Sequence, residues 1–332
     1  MDHQPRRVPE LLERILEEIP PASGAVVMGT GIVSIALLLD GRKLLSTILL
    51  VIAAAIWLAL AWLLPARAIT APERFSEDLG QPAALTSIAG TGVLGTRLTL
   101  LGWDRFGAVL LVVALVAWLG LVPLVLRNWR TPALGASFIL TVATESLALL
   151  AATLGGADRD AWLVYVALVP FVLGLGFYLF VLRRFDFRQL GVGLGDHWVT
   201  GGALAITTVT AGRIALAART TGALPGEHGL LKTVALVIWC ATLAWLPVLL
   251  VCELAWPRLR YSVRRWSTVF PVGMYAACSF VVGTVAAVPA ITDFAKIWVW
   301  VAVAVWLVVV VAMLRRAPSL VAAGAVAPGS AR

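Results

Sequence analysis

Charge is scarce in this chain. Asp, Glu, Lys and Arg together make up 13% of its 332 residues, against about 25% in soluble domains. With 61% apolar residues and a mean hydropathy of +0.94, the sequence carries more hydrocarbon than a soluble fold can hide. Cysteine is scarce as well. Cys240, Cys252 and Cys278 all lie in apolar runs with no CxxC pair, which excludes a disulfide framework or zinc site and leaves them as small buried hydrophobes. Gly191, Gly193 and Gly195 form a glycine-rich run, but no strand precedes it and no Lys-Ser or Lys-Thr follows, so it is not a phosphate loop. No nucleophile elbow, kinase signature or zinc motif is present. No cofactor or metal is expected, an enzyme is disfavoured, and ATP cannot be the driving force. The net charge of +8 and pI near 10.1 do not call for nucleic acid, because Lys and Arg gather on the cytoplasmic side of membrane proteins.

What the chain does have is apolar runs of spanning length, about 20 residues each. Ten are read: Pro21–Leu39, Leu44–Leu64, Pro82–Leu100, Phe106–Leu126, Ala133–Thr153, Ala161–Leu182, His197–Ala217, Gly229–Cys252, Trp266–Val288 and Phe294–Leu314. The fold class is therefore all-α integral membrane, with a transport domain over residues 21–314. Residues 1–20 form a cytoplasmic segment, in which Val8–Ile19 has amphipathic helical spacing. Residues 315–332 are expected to be a disordered cytoplasmic tail, rich in Ala, Gly, Pro and Ser from Ala317. With the N-terminus inside, 17 of the 26 Lys and Arg fall on the inner side. Both termini are then cytoplasmic and the number of crossings is even, in a multi-pass protein of the cell membrane.

Odd and even segments differ in character. The first holds Ser23, Gly24, Gly29, Thr30, Gly31 and Ser34; the third, seventh and ninth are similar, while segments two, four and ten are mostly Ala, Val, Leu, Ile and Trp. Small and hydroxyl residues let helices approach closely or place weak polarity on a water-filled path. The alternation predicts five helical hairpins, with the odd helices around a central pore and the even helices facing lipid. Two inverted five-helix repeats are the alternative.

The runs VVMGTGIVSIAL in segment one, AGTGVLGTRL in segment three and STVFPVGMYA in segment nine resemble the tellurite-resistance/dicarboxylate transporter family. That family includes the slow anion channels of plant guard cells, fungal malate permeases and sulfite efflux proteins. The resemblance covers Pro21 to Leu314. It implies a ten-helix protomer of five hairpins around one pore, assembly into trimers, and anion transport. It also implies a pore plugged by a phenylalanine of the ninth helix, here Phe270 beside Pro271. Phe138 and Phe280 are the other bulky candidates for the constriction, and an aromatic anchor at the membrane interface is the ordinary reading of Phe270.

Thr30, Ser87, Thr91, Thr144 and Thr208 are candidate pore-lining hydroxyls, able to donate to an anion without the grip of a fixed charge. Helix–helix packing is the competing reading for each. Arg97 and Arg213, near the outer ends of segments three and seven, could concentrate anions at a vestibule or snorkel to headgroups. His197 opens segment seven, where it could sense pH, although a lone interfacial histidine is more often structural. Glu145 stands in mid-membrane, where a carboxylate is costly and normally has a role, and its sign is wrong for an anion pore. Burial could keep it protonated, it could pair with Arg97 or Arg213, or it could bind a proton that couples transport to pH. The functional expectation is passage of small inorganic anions (chloride, nitrate, sulfite) or C4-dicarboxylates through a pore gated by an aromatic ring. The rivals are a proton-coupled C4-dicarboxylate carrier using Glu145, and a membrane scaffold or enzyme whose polar helices merely pack.

Overall fold

The computed structural model describes residues 20–192, 195–257 and 261–325. The N-terminal amphipathic stretch and the last seven residues lie outside them. Ten long helices are seen: α1 (Gly24–Leu39), α2 (Lys43–Thr70), α3 (Thr86–Thr99), α4 (Asp104–Arg127), α5 (Ile139–Asp158), α6 (Ala161–Leu182), α7 (Val199–Thr221), α8 (His228–Ala255), α9 (Trp266–Ala286) and α10 (Pro289–Ala325). Ring helices α1, α3, α5, α7 and α9 each begin with a short 3-10 turn. Helix α10 runs on past Ala317 to Ala325, where a disordered tail was expected; the alanine-rich sequence there has high helix propensity.

Among the described residues nine of these helices are long and apolar enough to cross a membrane, and α3 is the one that is not. With its 3-10 turn Pro82–Leu85, α3 reaches about 29 Å, close to the hydrocarbon thickness. It falls short in composition, since Gly, Thr, Ser and Arg97 dilute its apolar residues. That dilution has a physical licence. Helix α3 is almost wholly buried by protein and has little lipid to satisfy.

The same contrast runs around the molecule. The spans containing α1, α5, α7 and α9 are 72% to 100% buried, and those of α2, α4, α6, α8 and α10 are 17% to 33% buried. Helix α1 packs on α3, α3 on α5, α5 on α7, α7 on α9, and α9 back on α1, so the odd helices close a ring. Each even helix packs on its own hairpin partner and on the next ring helix, filling the outer groove between them. This is a five-hairpin ring, and the inverted-repeat alternative does not describe it. Glycine makes the seams close: a Cβ on Gly92 of α3 would sit 2.7 Å from Ser146 Oγ and 3.0 Å from its carbonyl oxygen on α5, so α3 and α5 meet with backbone against side chain.

Candidate functional site: the ring axis

The neighbours of α9 fix which of its faces looks inward. Gly29 of α1 backs onto Val269, and Gly273 backs onto Ile32 of α1. Gly202 and Gly212 of α7 back onto Pro271 and Val281. On the outer side, Tyr275 Oη donates to the Thr242 carbonyl (3.0 Å), and Trp239 Nε1–H of α8 donates to Ser279 Oγ (2.9 Å). The face left over holds Phe270, Ala277 and Thr284, seven residues apart and so on one side of the helix. It is the face opposite the one that bonds α8. Phe270 is fully buried and lies about 21 Å along the helix from Thr284. Pro271 follows inside the helix and packs on α7. Phe138 is no constriction: its ring packs on Tyr178 and Phe185, 5.4 and 5.5 Å between centroids, beneath α6.

Thr284 also lines a cavity at the end of the ring where the odd-numbered helices finish. Two lobes of about 280 and 250 Å³ meet at Arg213 and Leu216. Every ring helix or its end contributes: Leu39, Thr99 with Leu100, Thr153, Arg213, and Phe280 with Thr284. Among the described residues no carboxylate forms an ion pair with Arg213. Asp40 lines the first lobe but bonds Arg42 at 3.2 Å. Lys296 lines the same lobe and pairs with Asp293 (2.9 Å), so among the described residues Arg213 is the cation of this wall without an ion-pair partner. Moving one to two turns down the same faces gives Ile35, Thr96, Leu149, Ile206 and Ala277, all buried. Four of these five side chains are apolar.

Four of the five candidate hydroxyls bond to the outer helices. Thr30 accepts from Trp306 Nε1 (3.1 Å), Thr91 from Trp57 (2.9 Å) and Thr144 from Trp118 (2.9 Å), each indole reaching in from an outer helix. Thr208 shares a 2.8 Å bond with Thr242 of α8. Ser87 donates to Ala84 of its own segment (2.8 Å). Thr30, Thr91 and Thr144 are turned to helix seams, where an indole N–H buried at bilayer depth must find an acceptor; Thr208 faces α8. The signal for this was in the even segments: Trp57, Trp118, Trp239 and Trp306 stand in mid-span, whereas membrane tryptophans favour interfaces.

Arg97 is also turned from the vestibule. It is 1% exposed, and its Nε and Nη2 donate to Ser34 and Ser46 at 2.9–3.1 Å, fastening α3 to α1 and α2. Glu145 is fully buried behind the ring. It pairs with neither Arg97 nor Arg213, so the ion-pair reading fails; neither oxygen has a hydrogen-bond partner. His197 is fully buried at the other end of α7, 3.9 Å from Glu253, which also holds Arg265 (2.8 Å) and Trp198 (3.1 Å). Gly195 takes φ +105° just before α7, a turn requirement that accounts for one member of the glycine run.

Two membrane proteins of Mycobacterium tuberculosis, one from strain CDC 1551 and one from H37Rv and both titled uncharacterized, are similar to this chain. Each is 36% identical over 124 residues, a stretch that covers 36% of this chain and 62% of the relative. The chain thus spans less than two thirds of the length of these relatives. The profile of the voltage-dependent anion channel family matches residues 18–314, which takes in all five hairpins and the axis they enclose. On that match the chain belongs to the voltage-dependent anion channel family (SLAC1).

Proposed function

We propose that this protein passes small anions along the axis of the five-helix ring, with Phe270 as its constriction. The observation that carries the reading is the cavity that holds Arg213 without an ion-pair partner among the described residues, at the end of the ring that all five ring helices reach; buried apolar side chains and Phe270 stand deeper in the bundle. The guanidinium raises the local anion concentration. The apolar belt and the ring below it exclude water, so hydrated ions stop until the ring moves. Helix α9 has Pro271 beside Phe270, which removes a backbone hydrogen bond at the point where the ring must swing. Chloride, nitrate and sulfite are the inorganic candidates and C4-dicarboxylates the organic ones. Transport runs down an electrochemical gradient without ATP, from a cell-membrane protein with both termini cytoplasmic, assembled as a homotrimer.

A proton-coupled dicarboxylate carrier would need Glu145 beside the path, and Glu145 lies behind the ring against α6. A packed scaffold would have no use for a cationic cavity lined by all five ring helices. The test is anion flux into proteoliposomes with chloride, nitrate, sulfite and malate offered in turn. Phe270→Ala is expected to raise flux at least tenfold. Unchanged flux in a folded, inserted variant would remove Phe270 from the gate.

A further inference from the structure

Four corners of the ring are closed alike. An indole N–H from an outer helix donates to a hydroxyl on the next ring helix: α2 to α3, α4 to α5, α8 to α9 and α10 to α1. The fifth corner, α6 to α7, has no such indole. The single tryptophan of α6 is Trp162 at its start, exposed. Where Trp57 and Trp118 stand 14 residues into their helices, Gly174 stands 13 residues into α6. The room is filled from the ring side. A Cβ on Gly174 would lie 2.7 Å from Glu145 Oε1 and 2.9 Å from its Cδ. The carboxyl of α5 occupies the place a side chain of α6 would take.

The hydroxyls around it decide its form. Thr207 and Thr210 of α7 flank the carboxyl. Both already donate their protons to their own helix, Thr207 to the Ala203 carbonyl (2.9 Å) and Thr210 to that of Ile206 (2.8 Å). Thr210 also lies 3.5 Å from the backbone carbonyl of Glu145, and with the protons of both hydroxyls on the Ala203 and Ile206 carbonyls their lone pairs face the carboxyl. Thr141, one turn earlier on α5, is buried with its hydroxyl unpartnered. An ionised carboxylate is acceptor-only and would meet acceptors. A neutral acid adds a donor that can reach those oxygens. No compensating charge is at hand. Helix α6 holds no Asp, Glu, Lys, Arg or His; its tyrosines are Tyr178, whose oxygen accepts from Trp245, and Tyr165 near its start, whose oxygen accepts from the Leu224 N–H. Helix α4 has charges only at its ends. Arg213 of α7 lies on the axis side, in the outer cavity.

We infer that Glu145 is a proton-binding site that holds the α5–α6–α7 corner shut: bound, the proton bridges the carboxyl to the threonines of α7; released, it leaves a bare charge that must leave the seam. Because α5 and α7 are both ring helices, the separation widens the path, so anion flux rises with pH. Glu145 here regulates and is no carrier of the transported charge.

This rests on the anion-path reading, and the experiment keeps the two apart. Infrared spectra of wild type and Glu145→Gln, both folded in bilayers, are compared across pH. A carboxylic-acid carbonyl band present in wild type, missing from the variant and lost as pH rises is expected; a band absent from wild type at low pH overturns the site whatever the flux. Flux from pH 5.5 to 8.5 follows. Wild type should rise several-fold, while Glu145→Gln, whose amide keeps a donor, should stay low and flat. A variant that keeps the wild-type profile overturns the switch, and so does flux in wild type that ignores pH. A melting temperature raised by sodium in wild type but not in the variant would overturn the proton in favour of a metal cation.

Discussion

The ring helices and the outer helices all cross the membrane, yet they solve opposite problems. An outer helix has lipid on most of its surface and can use only hydrocarbon there; Val116, Leu58 and Val308 are more than 60% exposed and need no partner. A ring helix has protein on nearly every side, where the hydrophobic effect gives little preference among neighbours and close packing must supply the attraction. Small residues follow from that. The polarity of the ring is accordingly a property of its seams first and of its lumen second. The four indole–hydroxyl bonds are the clearest expression, since donor and acceptor come from opposite classes of helix.

Substitutions at matched positions sharpen the contrast. The largest effect is expected at a seam glycine. Gly92→Val places a branched side chain where Ser146 and its backbone already stand, and overpacking of that kind costs about 1–3 kcal/mol, more where backbone must move. Thermal unfolding in detergent should show a loss of several degrees, while Val116→Ala on the lipid face of α4 should barely register. Removing one clamp comes next. Trp118→Phe leaves Thr144 without its donor and should cost about 0.6–1.7 kcal/mol, the scale of hydrogen bonds inside membranes; the double variant with Thr144→Val should cost little more than either alone, and full additivity would deny the bond. The smallest effect is electrostatic. Arg213→Gln should lower anion flux a few-fold at low salt, with the difference fading as salt screens the charge over a Debye length of about 8–10 Å. A deficit that ignores salt would make Arg213 a packing residue.

The fold was legible because lipid is a strict solvent: a helix that faces it has to advertise the fact in every turn, and the odd–even alternation is that advertisement. Helix α3 could be recognised although its composition is too polar for an ordinary span, because its neighbours in sequence are not. The site was less legible. Arg213 and Arg97 look alike in sequence, both cationic near an outer helix end. Only the rotation of each helix about its axis decides that one lines a cavity and the other is buried by two serines, Ser34 and Ser46, on α1 and α2. Thr30, Thr91 and Thr144 were ambiguous for the same reason, since a hydroxyl serves a lumen or an indole equally well. Mid-span tryptophan was the missing half of that signal. Glu145 stood out as an anomaly, but nothing in one dimension ties it to Gly174, 29 positions later.

The last clamp joins the two ends of the ring. Trp306 of α10 donates to Thr30 of α1, residues 276 apart in sequence. During synthesis the first helix therefore enters the membrane with its partner unmade, and the seam between α9, α10 and α1 stays open until the final hairpin arrives. A ribosome stalled before Trp306 would leave eight or nine helices as an unclosed arc, with the glycine faces of α1 exposed to lipid or to a membrane chaperone. Quality control in such a protein has a natural checkpoint at its last span, and premature-stop variants there should be degraded rather than accumulate as leaky pores.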